Sequence, residues 1–254
     1  MFLERFKKPK STKRVAEVGW IITQSHASMI WDDPKPFGRD IPKSAVAKSV
    51  QACPAALDFD SRHFVINCPV DLNLRFVVDQ QQRPGLQNMA REESTIRPKY
   101  LNQMVVMLGP AEWRHPRRPI IQVITPYVFF ADDPVYVNQI PPYLDYIDPP
   151  WPGVLISGRF PIHIWPRPFM WAFEWYDTKK DIVIKRGDPW FYARFEAEEP
   201  SRPVRLIEAE KTPELENYIN SISGVTNYVN RTYSLFDLAR KRRPKRLLVP
   251  RSRT

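Results

Sequence analysis

The sequence predicts a mainly β fold, either a sandwich or a cupin-like jelly-roll barrel, with a short helical appendage near its C-terminal end. The first observation is an alternation of large rings, which is the period of a strand with one buried face. The second is the proline content, 27 residues against 8 glycines. Proline cannot donate to an interior ladder, so this content indicates short strands and rigid connections. The third is that the clearest helix signals follow the strand-like segments.

The alternation is strongest within residues 158–196, which hold half of the eight tryptophans. One face of the predicted strand carries the large rings Phe169, Trp171, Phe173 and Trp175. The other face carries Met170, Ala172, Glu174 and Tyr176. Arg186-Gly187-Asp188 matches an adhesion tripeptide, but its position between two strand-like segments predicts a hairpin turn.

The remaining segments are mostly strand-like. Residues 63–68 and 72–78 are expected to pair with each other, and a short helix is expected over 43–53, ending before Pro54. The polar segment 80–100 lacks periodicity, which is typical of a functional or mobile loop. Other strands are predicted at 15–23, 104–108, 119–124, 127–130, 135–140 and 204–208.

Two helices are predicted after the last strand. Thr212 is placed to cap a helix with Pro213 at its first position, and this helix can run to Gly224. A second helix can begin near Ser234 and end before Pro244. We therefore divide the chain into a basic arm (1–14), a β-rich domain (15–208), a helical appendage (209–239) and a basic tail (240–254).

The net charge of +10 is concentrated at the two ends of the chain. Residues 1–14 carry +5 and residues 240–254 carry +8, so the remainder carries −3. This asymmetry argues against a basic face on the domain itself. Apolar residues interleave with the charges, among them Leu247, Leu248 and Val249, which favours docking on another protein. The predicted binding residues are Arg5, Lys7, Lys8, Lys10, Lys241, Arg242, Arg243, Lys245 and Arg246.

Composition excludes several classes of protein. No apolar run approaches the ~20 residues that a membrane helix needs, and the N-terminus lacks the apolar region of a secretory signal. Cys53 and Cys68 are the only cysteines, and they are expected to be reduced and buried in a cytosolic protein. Phosphate-binding glycine loops and nucleophile motifs are absent from the sequence, and no cofactor is predicted.

A metal-dependent enzyme remains the alternative. The four histidines lack the H-x-H or H-x-D/E spacing of a cupin-type iron site. A site assembled from His63, His163 and Glu174 is geometrically conceivable, and Glu174 or His163 would then be catalytic. Because Glu174 lies opposite the large rings, however, we expect solvent or an arginine partner such as Arg159, Arg167 or Arg194.

The segments 165–175 (WPRPFMWAFEW) and 185–196 (KRGDPWFYARFE) resemble an uncharacterised family of bacterial and phage proteins of about this length. The resemblance implies a bacterial or phage source and no catalytic residues. The helical end and the basic tails lie outside it.

The leading expectation is a non-enzymatic interaction protein that docks on other subunits through its basic arms, in the cytoplasm or within a phage virion. The alternatives are an oxygenase-type enzyme on a cupin-like barrel, and nucleic-acid binding through the tails, with an affinity that falls steeply with salt.

Overall fold

A computed structural model of the chain describes residues 15–24, 30–38, 49, 52–90, 96–224 and 232–252. The fold is mainly β, with helices late in the chain, as the sequence predicts. Its strands are β1 Ala16–Ile22, β2 Lys35–Pro36, β3 His63–Asn67, β4 Leu72–Val78, β5 Pro84–Asn88, β6 Val105–Met107, β7 Ile120–Ala131, β8 Val135–Ile140, β9 Gly153–Leu155, β10 Gly158–Pro161, β11 Pro168–Trp175, β12 Ile182–Ile184, β13 Pro189–Ala197 and β14 Val204–Glu208. Its α-helices are α1 Pro54–Asp60, α2 Pro98–Met104, α3 Pro213–Ile222 and α4 Thr232–Arg242.

The strands form three sheets, two of which pack face to face. The first, sheet A, has the order β14-β1-β7-β11-β9, with β6 also paired to β7. The second, sheet B, has the order β10-β8-β13-β3-β2, and a small third sheet has the order β12-β4-β5. All of these pairings are antiparallel except that of β1 with β14. The result is a sandwich-like architecture.

Aromatic rings fill the space between sheets A and B. Phe129 of β7 meets Phe195 of β13 at 5.2 Å between ring centroids, and Trp171 of β11 meets Trp190 at 5.7 Å. Ring pairs at these distances contribute beyond their buried area. The four rings predicted to share one face of β11 are all buried, which confirms the alternation.

The helices α3 and α4 cover part of the outer face of sheet A. Val128 and Phe130 of β7 point outward there, because they alternate with the inward Tyr127 and Phe129. Thr212 caps α3 as predicted, since its hydroxyl oxygen accepts from the Leu215 N–H at 3.2 Å. Val128 and Phe130 pack with the helices in a second hydrophobic core, separate from the one between sheets A and B. This second core also contains Ile21, Trp165, Ala209, Leu215, Tyr218, Ile219, Ile222, Leu235, Ala239, Leu247 and Leu248.

The structure differs from two expectations about the elements and leaves most of a third untested. Strands β3 and β4 do not pair with each other, since β3 joins sheet B and β4 joins the small third sheet. Pro54 begins a helix rather than following one, because its missing N–H is harmless in a first turn. Most of the helix predicted over 43–53 lies outside the described residues, and Ala52 and Cys53 belong to no α-helix.

The polar segment 80–100 contains strand β5 and the start of α2. The two strands predicted over 119–130 form one strand, β7, that runs through Pro126. This proline is accommodated because β11 shifts its register opposite, between Pro168 and Met170, and because pairing with β1 begins only at Tyr127. Its carbonyl oxygen accepts from the Thr23 N–H at 2.9 Å.

Candidate functional site

The C-terminal basic segment is folded against the body of the protein. Arg243, directly after α4, carries the main anchor, and its side chain is only 15% exposed. Its guanidinium donates to the Ala131 carbonyl oxygen at 3.0 Å and to Asp132 Oδ1 at 3.1 Å. Arg243, one of the predicted binding residues, therefore has its charge paired within the protein.

The residues that follow Arg243 complete the attachment. Leu247 and Leu248 are buried in the second core, and the Leu247 N–H donates to Asp132 Oδ1 at 2.6 Å. A β-bridge joins Pro250 to Ala209. The interpretation of these leucines as anchors for a partner is therefore corrected, because they serve the protein's own core.

Within residues 240–246, five cations are exposed and form what we call the basic ridge: Arg240, Lys241, Arg242, Lys245 and Arg246. Arg240 pairs with Asp237 at 3.2 Å, and both side chains are largely exposed. Carboxylates flank the ridge at both ends. Arg246 shares a depression with Glu17, Asp132 and Asp133, and Arg242 shares another with Glu214. The predicted N-terminal binding residues Arg5, Lys7, Lys8 and Lys10 lie outside the described residues.

Glu174 is buried and forms an ion pair with an arginine. It is 1% exposed, and its Oε2 accepts from the Arg114 guanidinium at 2.7 Å. Arg114 reaches it from the segment between β6 and β7, so an arginine partner is present as expected, although not one of the three that were named. We find no geometric basis for a catalytic carboxylate at this position.

The two histidines singled out by sequence lie in separate environments. His163 Nδ1 is 3.0 Å from the Val135 carbonyl oxygen, and its ring meets the edge of Tyr136. His63 is fully buried, with Nδ1 2.9 Å from the Phe59 carbonyl oxygen. Burial lowers the pKa of both imidazoles. Within the described ranges no three histidine, cysteine or acidic side chains are grouped to hold a metal, so the structure does not assemble the site of His63, His163 and Glu174.

A polar network on the outer face of sheet B was missed by sequence reasoning. Glu196 of β13 lies between two arginines, 2.8 Å from Arg194 and 3.7 Å from Arg159. The Arg159 guanidinium lies 3.7 Å from the ring centroid of Tyr136, and that of Arg194 lies 4.4 Å from the centroid of Phe59. Arg194 and Glu196 alternate with buried residues along β13, as Tyr136 does along β8, and that was the available signal. The network stabilises the sheet surface, because its charges are paired with one another.

The loop between β8 and β9 presents exposed tyrosines. Tyr146 is 92% exposed and Tyr143 is 52% exposed. The loop is held in place because the Tyr192 hydroxyl donates to the Asp145 carboxylate. Prolines stiffen it at positions 141, 142, 149 and 150.

The two cysteines are both free thiols. Cys68 is buried, and burial raises the pKa of its thiol to about 12. Cys53 is only partly buried, which corrects the expectation that both are enclosed. Backbone N–H groups of Ala56 and Ala55 lower the pKa of the Cys53 thiol.

A cavity of about 190 Å³ opens near the edge of sheet A, where the chain passes from β9 to β10. It is lined by apolar rings together with Gln139 and Arg167. Most of its lining comes from residues 156–172, and Gln122, Phe129, Val137 and Gln139 of β7 and β8 complete it. No sequence motif pointed to it.

No protein-family model matches the chain, and the curated proteins give no match either. None of the described helices has both the length and the apolar character needed to cross a membrane.

Proposed function

We propose that this protein is a non-enzymatic interaction protein that docks on the acidic surface of another protein subunit through its basic ridge. The observation that carries the proposal is the fixed position of the exposed cations Lys241, Arg242, Lys245 and Arg246 next to the anchor Arg243. A segment ordered before binding loses less conformational entropy on docking than a free tail does. Its charges also steer the encounter with an acidic partner.

The distribution of acids around the ridge favours a protein partner over nucleic acid. A phosphate backbone is uniformly negative and is bound by continuous tracks of lysine and arginine. Here Glu214 lies at one end of the ridge, and Glu17, Asp132 and Asp133 lie at the other. The carboxylates at the second end pair with arginines, Glu17 with Arg205, Asp132 with Arg243 and Asp133 with Arg202. A protein surface with both signs of charge can complement this mixture of cations and carboxylates, whereas a uniform polyanion matches only the cations.

The tyrosine-bearing loop between β8 and β9 supports the same function. Tyrosine is enriched among the residues that dominate the energy of protein interfaces. Tyr146 stands almost fully exposed on a loop that the Tyr192–Asp145 hydrogen bond holds in place. This loop offers a second contact for a partner subunit.

For the assembly itself we propose a phage particle or a related bacterial complex. The support for this finer assignment is the resemblance carried by residues 165–175 and 185–196.

The test compares two four-residue variants of the full chain in the assembly isolated from its native source. The ridge variant changes Lys241, Arg242, Lys245 and Arg246 to Gln. The control changes the equally exposed Lys179, Lys180, Lys185 and Arg186 to Gln, which removes the same charge elsewhere. We expect the ridge variant to leave the assembly fraction in a density gradient and the control to remain in it.

Hydrogen exchange gives an independent readout, since amides in 240–246 should be more protected in the assembly than in the free protein. Equal co-sedimentation of both variants would contradict the proposal. If the wild type instead binds a DNA duplex with an affinity that falls steeply with salt, and only the ridge variant loses it, nucleic-acid binding replaces protein docking.

A further inference from the structure

The cavity at the edge of sheet A has a predominantly apolar wall. Phe129, Phe160 and Phe169 contribute rings to it, and Val137, Ile162 and Trp165 contribute further apolar surface. Its volume of about 190 Å³ compares with the roughly 150 Å³ of an engineered apolar cavity that accepts benzene. The space therefore suits a compact apolar body the size of one ring with a small substituent.

Gln139 places an amide without a partner in this wall. The alternation of β8 turns Gln139 inward together with Val137, and Gln139 is only 3% exposed. Its Nε2 makes no hydrogen bond to any described residue. An unsatisfied buried amide is costly, and native structures usually supply it with a partner.

Arg167 places a cation at the same cavity. It lies just before β11 and is partly buried, and burial lowers the pKa of its guanidinium. Its one described polar contact is from Nη2 to the Met170 sulfur at 3.1 Å. No carboxylate among the described residues pairs with it, in contrast to Arg75, Arg114, Arg194 and Arg243, which all have acidic partners.

We propose that this cavity binds a small monocarboxylic acid with an apolar body, of about eight non-hydrogen atoms by comparison with benzene in its cavity. The carboxylate accepts hydrogen bonds from the Arg167 guanidinium and the Gln139 amide, while the apolar body packs against Phe129, Phe160 and Phe169. A single cation within apolar walls suits one negative charge better than the two of a phosphate monoester. This site is independent of the basic ridge.

The test uses isothermal titration of the full-length protein with benzoate and hexanoate, and with benzamide as the neutral isostere of benzoate. We expect saturable binding of the two acids and at least about tenfold weaker binding of benzamide, because benzamide cannot make a charge-assisted contact. Intermolecular NOEs should connect benzoate protons with aromatic protons of Phe129, Phe160 and Phe169.

Two variants and a control assign the contacts. Arg167→Met keeps an unbranched apolar stem without the guanidinium and should weaken benzoate binding by about tenfold to a hundredfold. Gln139→Leu should also weaken binding, yet raise the Tm of the ligand-free protein, because it removes an unpaired buried amide. Arg117→Met changes an exposed arginine elsewhere and should leave binding unchanged.

The proposal is overturned if neither acid binds the wild type at millimolar concentrations, if benzamide binds as well as benzoate, or if Gln139→Leu and Arg167→Met bind benzoate like the wild type. If Arg167→Met does not fold, the Gln139→Leu variant alone tests the proposal. A higher Tm together with weaker benzoate binding is expected only if the Gln139 amide faces the ligand.

Discussion

At the scale of single residues, Glu174 illustrates how a polar position in an aromatic strand is stabilised. The alternation places it on the face opposite Trp171 and Phe173, where solvent would be the simplest environment. The segment between β6 and β7 covers that face instead and brings in Arg114, so that Glu174 becomes a buried anion with one cationic partner. Removal of one partner from a buried pair is strongly destabilising, because it leaves a buried charge uncompensated.

We predict that Arg114→Met destabilises the protein by about 1–3 kcal/mol, because it leaves the Glu174 carboxylate buried and unpaired. The expected loss of stability is moderate because the Arg114 side chain is 61% exposed, so water can solvate part of the Glu174 carboxylate once the guanidinium is gone. Urea unfolding followed by far-UV circular dichroism measures the change.

Two further variants separate the pair from its surroundings. The double variant Arg114→Met/Glu174→Met should recover most of the loss, since no charge is then left unpaired. Arg117→Met, in the same segment but exposed, serves as the control and should be near neutral. A double variant that is less stable than Arg114→Met would contradict this account.

At the scale of elements, the edge of sheet A depends on a close approach of β9 to β11. Gly153 pairs with Trp175 there. A Cβ atom at Gly153 would lie 2.1 Å from the Glu174 carbonyl oxygen and 2.6 Å from the Phe173 ring. Both neighbours belong to a buried strand and cannot move aside without disturbing the core.

We therefore predict that Gly153→Ala detaches β9 from β11 and destabilises the protein by about 1–3 kcal/mol, the usual cost of forced overpacking. Hydrogen exchange should show loss of protection at the Ile156 and Tyr176 amides. These amides donate across the contact to the Ala172 and Pro152 carbonyl oxygens, at 2.7 and 2.8 Å.

Gly38→Ala is the matched control, because nothing lies within 4 Å of the added Cβ. Its stability should equal or slightly exceed that of the wild type. If Gly153→Ala unfolds at the same urea concentration as Gly38→Ala, the close approach does not limit this edge.

At the scale of the whole molecule, one buried imidazole, His63, and one partly buried imidazole, His163, link stability to pH. His63 contacts the rings of Phe59 and Tyr192, and His163 packs against Val135 and Tyr136 at the start of β8. Burial lowers both folded-state pKa values below the unfolded value of about 6.5. The nearby guanidiniums of Arg194 and Arg243 act in the same direction.

The unfolded chain consequently takes up protons at a higher pH than the folded protein does. The stability is fully present above about pH 6.5 and is lost as the pH falls from there through the folded-state pKa values. We expect the free energy of unfolding to decrease between about pH 7 and pH 5, with a slope of up to about 1.4 kcal/mol per pH unit for each histidine.

Urea titrations at several pH values measure this slope, and the variants His63→Gln and His163→Gln should each flatten it. The comparison concerns slopes, so a lower absolute stability of either variant does not affect it. A wild-type profile that is flat over this range, or two variants with the wild-type slope, would rule out these two imidazoles as the source of the pH dependence.

The amino-acid sequence by itself determined the fold class, the alternating faces of β11 and the capped start of α3. These features depend on residues that are neighbours along the chain, such as Phe169 with Trp171, or Thr212 with Leu215, and local patterns report such contacts directly. The same local patterns did not predict that Pro54 begins a helix, because a proline can either follow a helix or occupy its first turn.

Only the tertiary structure decided which strands pair, where the C-terminal cations lie and which side chains meet in the cavity. The Arg114–Glu174 pair spans 60 positions of the chain and the Arg243–Asp132 pair spans 111. Contacts of that separation depend on how whole sheets pack and on the loops that they close, and no periodicity encodes them. For this reason the sequence described the basic residues 240–246 as part of a tail, whereas packing of Leu247 and Leu248 in the second core turns them into a ridge on the folded body.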